Sequence, residues 1–307
     1  MIQLTGTFLD EISHDIPSQN WGPDEWAADF DAMRAVGIDT VILIRAGYRK
    51  RATFDSRVLR DRVGTLPAYT DLVDLFLHHA ERCGMTLFFG LYDGGFFWDD
   101  GDYGMEAEIN KPFAAEVIER YGHRRAFGGW YIPHELSTYN APMMGVYRDL
   151  SAHLRRLKDL PILVSPYIKG KHQFGAEAIT LDQHEAEWAR TFAELAGHVD
   201  ICAFQDGNVP LDVLPAYLAL NRDLAARHGI RSWSNVESFG RDVHIKFPPA
   251  DIRALRYKME QAHTAGMEKL ITFEFSHFMS PNATVFPSAR TLHARYVEWL
   301  RAQGWNG

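Results

Sequence analysis

The sequence predicts an α/β fold: a single (β/α)8 TIM barrel with elaborated βα loops, one domain over residues 1–307. Three observations lead there. Short apolar runs of strand length alternate with longer amphipathic stretches, and the alternation repeats eight times without a break in composition. Glycines stand where helical stretches should end, in Val36-Gly37, Cys83-Gly84, His228-Gly229 and Ala265-Gly266. The length, 307 residues, suits one barrel of about 250 residues with long loops. No GxGxxG or GxxxxGK[ST] turn follows any of the strands, which argues against an open doubly wound sheet.

In chain order, the first strand is read over 3–9, and the helix over 23–36 opens on Pro23, whose missing N–H is no loss at a helix start. A strand over 40–45, centred on Val41-Ile42-Leu43-Ile44, leads to a helix over 69–82 and a third strand over 86–92. Pro112 opens a helix over 112–121, followed by a strand over 128–133, a helix over 142–157 and a strand over 162–166. The second half reads as helix 185–196, strand 200–204, helix 211–227, strand 231–236, helix 249–265 near Pro249, strand 270–275 and helix 288–302. Segments after strands are long and rich in aromatic and polar residues, notably 93–111, 167–180, 238–248 and 276–287, whereas helix-to-strand turns are short. In a TIM barrel the long βα loops build the face that carries chemistry.

Composition narrows the function. With 46% hydrophobic and 23% charged residues the chain can bury a full core. The net charge is -8 and the longest basic run is Arg49-Lys50-Arg51, so nucleic acid is not expected as a partner. No window approaches the roughly 18 apolar residues of a membrane span, and Met1 to Gly6 lacks a leader pattern, so a soluble, cytoplasmic protein without a membrane partner is expected. The two cysteines, Cys83 and Cys202, sit in apolar stretches and read as reduced core residues. No cofactor motif is present and none is expected to be needed.

Carboxylates at strand ends carry the strongest chemical signal, because a packed strand rarely tolerates one without a reason. Glu135 ends Gly129-Trp130-Tyr131-Ile132-Pro133-His134-Glu135, and Glu237 ends Trp233-Ser234-Asn235-Val236-Glu237. Period-two alternation puts Tyr131, Pro133 and Glu135 on one face, and Trp233, Asn235 and Glu237 on one face of another strand. If both faces point inward, two carboxylates overlook one mouth, as glycosidic hydrolysis requires. Asp206 follows the sixth strand, and Glu274, beside Thr272 and Ser276, either lines the site, orients an arginine such as Arg45, or satisfies buried polar groups. Sugars also need aromatic planes and hydroxyl partners. Tyr48, Tyr92, Trp98 and Tyr167 supply the first; Asp10, Arg45, Asp93, His134, Gln205, Asp206, Asn235, Glu274 and His277 supply the second. The run from Tyr92 to Asp100 reads as a lid or a sugar platform.

The Gly129–Glu135 segment, Phe204-Gln205-Asp206-Gly207 and the opening Gly6-Thr7-Phe8-Leu9-Asp10 resemble the bacterial glycosidase-like barrels catalogued as domain of unknown function 4434. In pattern these resemble the retaining glycoside hydrolase clan, with glutamates at the ends of strands 4 and 7. The resemblance implies Glu135 as acid/base and Glu237 as nucleophile on a small or exposed carbohydrate. Where that clan has Asn directly before the acid/base, this chain has His134. Two other readings stay open: a metal-dependent sugar isomerase or epimerase drawing on His14, His134, Asp206, Glu237 and His277, and a barrel that binds carbohydrate without turning it over. No HxH, HExxH or CxxC spacing supports the metal reading, and no metal ligand is assigned.

Overall fold

A computed structural model describes residues 1–14, 16–241 and 246–307. Eight parallel strands close a barrel: β1 (Gly6–Leu9), β2 (Thr40–Leu43), β3 (Thr86–Gly90), β4 (Phe127–Tyr131), β5 (Ile162–Val164), β6 (Ile201–Gln205), β7 (Arg231–Asn235) and β8 (Lys269–Thr272). Each pairs with its neighbours in sequence, and the pair Gly6 with Ile271 closes β1 on β8. Eight principal helices alternate with them: α1 (Pro23–Ala35), α2 (Leu72–Cys83), α3 (Tyr103–Tyr121), α4 (Ala141–Leu157), α5 (Leu181–Leu195), α6 (Leu214–Arg227), α7 (Ile252–Thr264) and α8 (Ser288–Ala302). This is the (β/α)8 TIM barrel.

Local chemistry sets the helix ends. Asp71 accepts from the Asp74 N–H at the start of α2, and Gly84 closes that helix at φ +70. Thr180 and Gln183 form a reciprocal capping box on α5. Packing then fills two layers. Phe8, Ile42, Phe88, Tyr131, Leu163, Ala203, Trp233 and Ile271, one from each strand, fill the lumen. Between sheet and helices, Trp188 of α5 meets Phe204 of β6 edge-on at 4.5 Å between ring centroids; burying such a side chain contributes about 1.5–3 kcal/mol.

The strands are shorter than the apolar runs suggested, because the residues past Tyr131, Asn235 and Thr272 leave the ladder to form the rim. Glu274 lies beyond β8 and caps a one-turn helix over Phe275–Phe278. Helix α3 starts at Tyr103, nine residues before Pro112, which sits inside it. Pro112 removes one N–H from the ladder. On that helix, however, Asn110 exchanges two hydrogen bonds with the Tyr92 backbone, both 2.9 Å, and Glu106 accepts from Gly94 N–H, so tertiary ties outweigh the breaker. Rim elements invisible to periodicity include a helix over Arg57–Val63 and a small sheet joining Gly47–Tyr48, Arg51–Ala52 and Tyr92–Asp93. Cys202 is buried, Cys83 is partly exposed, and both are free thiols. No helix among the described residues is long and apolar enough to cross a membrane. Residues 242–245 of the loop after β7 lie outside the described residues.

Candidate active site

Glu135 lies four residues past the end of β4 and Glu237 two past the end of β7, and both side chains reach the cavity at the C-terminal mouth. Both line one inner cavity, together with Arg45, Gln205 and Asn235. An outer cleft adjoins it, sharing Arg45 and Glu135 and adding Tyr48, Asp93, Trp98 and Tyr167. Nine of the side chains read from sequence thus converge on the connected space.

The two glutamates are held differently. Glu135 has a side chain 23% exposed, with an Arg45 guanidinium nitrogen 3.7 Å from its Oε1. Arg45 is fixed in turn, donating to Asp93 Oδ2 at 2.9 Å and to Ser13 Oγ at 2.8 Å. Burial pushes the Asp93 carboxyl up, but Arg45 and His134 outweigh it and leave Asp93 below the usual range. Glu237 is buried and clamped by a two-pronged arginine: Arg241 Nε donates to Oε2 and Nη2 to Oε1, each at 2.8 Å. Gly207 underlies the pair, since a Cβ there would fall 1.7 Å from Glu237 Oε2.

The Glu237 backbone is clamped as well. Asp206 Oδ1 accepts from Glu237 N–H at 3.0 Å, while Lys258 of α7 donates to Asp206 Oδ1 and to the Glu237 carbonyl, both at 2.7 Å. Burial raises Asp206 to about 6; Lys258 opposes that shift and the Glu237 charge adds to it. Asn235 accepts from Phe273 N–H at 2.9 Å and donates to Ser165 Oγ at 3.2 Å, while Gln205 donates to the Ser165 carbonyl at 2.9 Å. These contacts tie β5 to β8 across the mouth.

The other residues read from sequence lie behind the wall. Tyr92 is fully buried, its hydroxyl donating to the Arg49 carbonyl at 3.1 Å, so it packs beneath the cleft instead of forming a sugar platform. His134 faces away from the cavity and meets Glu106 at 2.9 Å. Burial lowers the imidazole's pKa, but the Glu106 hydrogen bond and charge outweigh it, and the ring is more basic than usual. Glu274 pairs with His277 Nδ1, and His277 Nε2 donates to the Pro17 carbonyl at 2.8 Å. Burial works against the charge of each, and their mutual attraction keeps the imidazole protonated. Asp10 accepts from the Ile12 and Ser13 N–H groups and shapes the turn after β1. Asp206 forms no part of the inner cavity wall.

Of the metal candidates, His14, His277, Asp206 and Glu237 form no cluster among the described residues. The group with ligand-like spacing is Asp93, Glu106 and His134, with one ligand atom from each within 4.8 Å of the others. Its oxygens are already taken: Asp93 by Arg45 and the Gly95 N–H, Glu106 by the Gly94 N–H and His134. The donor set fits a proton-sharing network next to an arginine better than a divalent ion, which favours oxygen ligands free of competing cations.

Sequence reasoning missed Glu106, Arg241 and Lys258. Arg241 stands four residues after Glu237, a spacing open to inspection; Lys258 falls on the same face of α7 as buried Leu255, Met259 and Ala262, where a lysine needs a partner. Glu106 offered no signal, because its helix was not expected to extend so far.

The chain belongs to the family described as "Domain of unknown function (DUF4434)", matched over residues 4–285. No curated protein matches it. A solved structure from Bacteroides thetaiotaomicron VPI-5482, described as a "putative alpha-L-fucosidase", is 45% identical, with 98% of this chain and 94% of that one covered and a TM-score of 0.94. An endo-1,4-beta-D-mannanase from Thermotoga petrophila RKU-1 is 11% identical, with 97% and 99% covered and a TM-score of 0.57. A beta-D-glucuronidase of Dictyoglomus thermophilum is 13% identical, with 97% of this chain and 50% of that one covered and a TM-score of 0.58. The last two likenesses show the barrel alone.

Proposed function

We propose that this protein is a retaining glycoside hydrolase, with Glu135 as general acid/base and Glu237 as nucleophile. The observation that carries the reading is the asymmetry of two glutamates on one cavity: Glu135 borders the open cleft, and Glu237 is buried against a guanidinium. Glu135 donates its proton to the glycosidic oxygen as the bond from that oxygen to the anomeric carbon breaks. A Glu237 oxygen forms the new bond to that carbon. Water, losing its proton to Glu135, then displaces Glu237 and returns both groups to their starting state. Arg241 leaves lone pairs on both Glu237 oxygens, so it orients the carboxylate without consuming it. This division of labour needs carboxyl groups about 5 to 5.5 Å apart.

The outer cleft is built to receive a leaving group. The Tyr48 ring stacks on His14 with centroids 5.4 Å apart, and Tyr167 lies parallel to Phe174 at 5.9 Å, so both planes are braced before a sugar arrives. The Bacteroides relative's description makes an α-L-fucoside the first substrate to try. The test is a panel of 4-nitrophenyl glycosides with wild type, Glu135→Gln and Glu237→Gln. Each variant is expected to stay folded and to lose about a thousandfold in turnover, since general acid catalysis contributes roughly 10²- to 10⁴-fold. Wild-type rates in either variant would remove that residue from the mechanism.

A further inference from the structure

The charges around Glu135 come in opposite pairs. Arg45, just past β2, donates from Nε to Asp93 Oδ2 at 2.9 Å, and its Nη2 stands 3.7 Å from Glu135 Oε1. His134, the residue before Glu135, is paired with Glu106 of α3 at 2.9 Å. On the inner cavity wall, Arg241 is paired with Glu237. Asp10 acts on Arg45 from the loop after β1, and His14 and Asp99 line the outer cleft. Burial holds the hydroxyls of Tyr131, Tyr147 and Tyr167 above the usual phenol range, so these neighbours stay neutral.

Arg45 sets a conflict at this acid. A guanidinium so close favours the ionised carboxylate, whereas a general acid has to hold its proton when the substrate arrives. Asp93 supplies the counter-charge. It is buried, its Oδ1 is fixed by the Gly95 N–H at 2.9 Å and its Oδ2 takes Arg45 Nε, while Ser13 Oγ accepts from Nη1 at 2.8 Å. The guanidinium is thus hydrogen-bonded on the side of Asp93 and Ser13, and only its Nη2 approaches Glu135. Burial opposes the Asp93 charge, but Arg45 and His134 outweigh it, so the counter-charge is in place at neutral pH. We propose that Asp93 is a positioning residue for the acid: it draws the Arg45 guanidinium and its charge away from Glu135, so that Glu135 holds the proton it gives to the leaving oxygen. Both Asp93 oxygens are engaged within the protein, so it acts through Arg45. The inference rests on the acid assigned above and adds the residue that keeps that acid protonated.

Two readouts separate a charge effect from a loss of shape. In protein isotopically labelled at the glutamate carboxyl carbon, the Glu135 resonance is identified by its absence from Glu135→Gln, and its titration is followed by carbon NMR. Asp93→Asn is expected to lower the Glu135 midpoint by at least about one pH unit, since nearby charges move a carboxyl by about 1–3. Asp93→Glu, which keeps the charge, is expected to keep the wild-type midpoint. The alkaline limb of kcat/KM, measured on the 4-nitrophenyl glycoside cleaved fastest, should fall with the midpoint, because that limb reports the acid of the free enzyme. A merely structural role for Asp93 would lower the rate at every pH and leave both where they were. Arg45→Gln is expected to move midpoint and limb upward by about one pH unit, and it carries the test should Asp93→Asn not fold. An unmoved midpoint in either folded variant overturns the inference and leaves the carboxylate pair standing. A midpoint that moves while the limb stays overturns the acid assignment, and the part of Asp93 with it, so the two failures are read in different measurements.

Discussion

Replacing Lys258 by methionine tests the claim that an ion pair beneath the active site holds Glu237 by its backbone. The lysine is buried, 2.7 Å from both Asp206 Oδ1 and the Glu237 carbonyl. Methionine keeps the packing volume against Leu255 and Met259 but strands the aspartate, and removing one partner of a buried pair costs about 3–5 kcal/mol. With an unfolding entropy of about 2.1 cal/mol/K per residue, that cost lowers Tm by about 5–8 °C. The penalty depends on pH. Asp206 titrates at about 6 in the folded protein against 3.8 for an ordinary aspartate, so the folded state holds the proton more tightly. The stability this group contributes is therefore full below pH 3.8 and is lost as pH rises through about 6. At pH 8 the wild type relies on Lys258 to balance the bared charge, and the variant suffers the whole loss. At pH 5 Asp206 carries its proton, and what is lost is the lysine's bond to the Glu237 carbonyl, about 1–3 kcal/mol. Urea unfolding of both proteins at pH 5 and pH 8 measures the difference. A penalty below about 1 kcal/mol at pH 8, or one equal at the two pH values, refutes the reasoning.

Other perturbations probe the cavity directly. Glu135→Ala should regain turnover with azide on substrates with good leaving groups, and Glu237→Ala with azide should give product of inverted configuration, as judged by NMR of the first-formed anomer. Gly207→Ala pushes a Cβ into the space of Glu237 Oε2 and should lower kcat by about 100-fold with Tm little changed, since small misplacements cost that much. Unchanged kcat would mean that the carboxylate works from another position. Dialysis against EDTA should leave turnover intact, because Arg45, His134 and backbone N–H groups already occupy the oxygens of Asp93 and Glu106; activity lost and restored by Mn²⁺ or Mg²⁺ would favour isomerase chemistry.

How much of this was legible in the sequence follows from the range of each interaction. The barrel was, since strand and helix periods are local and the glycines at 37, 84, 229 and 266 all take positive φ where the helical periods stop. That Glu135 and Glu237 stand at the mouth was legible too, because each follows a strand end by a few residues; the period of two does not carry them there, since the chain leaves the ladder after Tyr131 and Asn235. Where a side chain's role depends on a partner far along the chain, pattern reading failed. Tyr92 and His134 both looked like site residues, yet each is drawn back by α3, through Asn110 and Glu106, and that helix was misplaced by nine residues because Pro112 was read as its start. Asp206 was read as a sugar ligand because it follows a strand; Lys258, 52 residues later, takes one of its oxygens. The same oxygen accepts from the Glu237 N–H, so the work of this aspartate is to hold the Glu237 backbone. On that basis the inner cavity and its ion-pair support form one apparatus: the lysine that balances Asp206 also takes the Glu237 carbonyl and steadies that backbone from below.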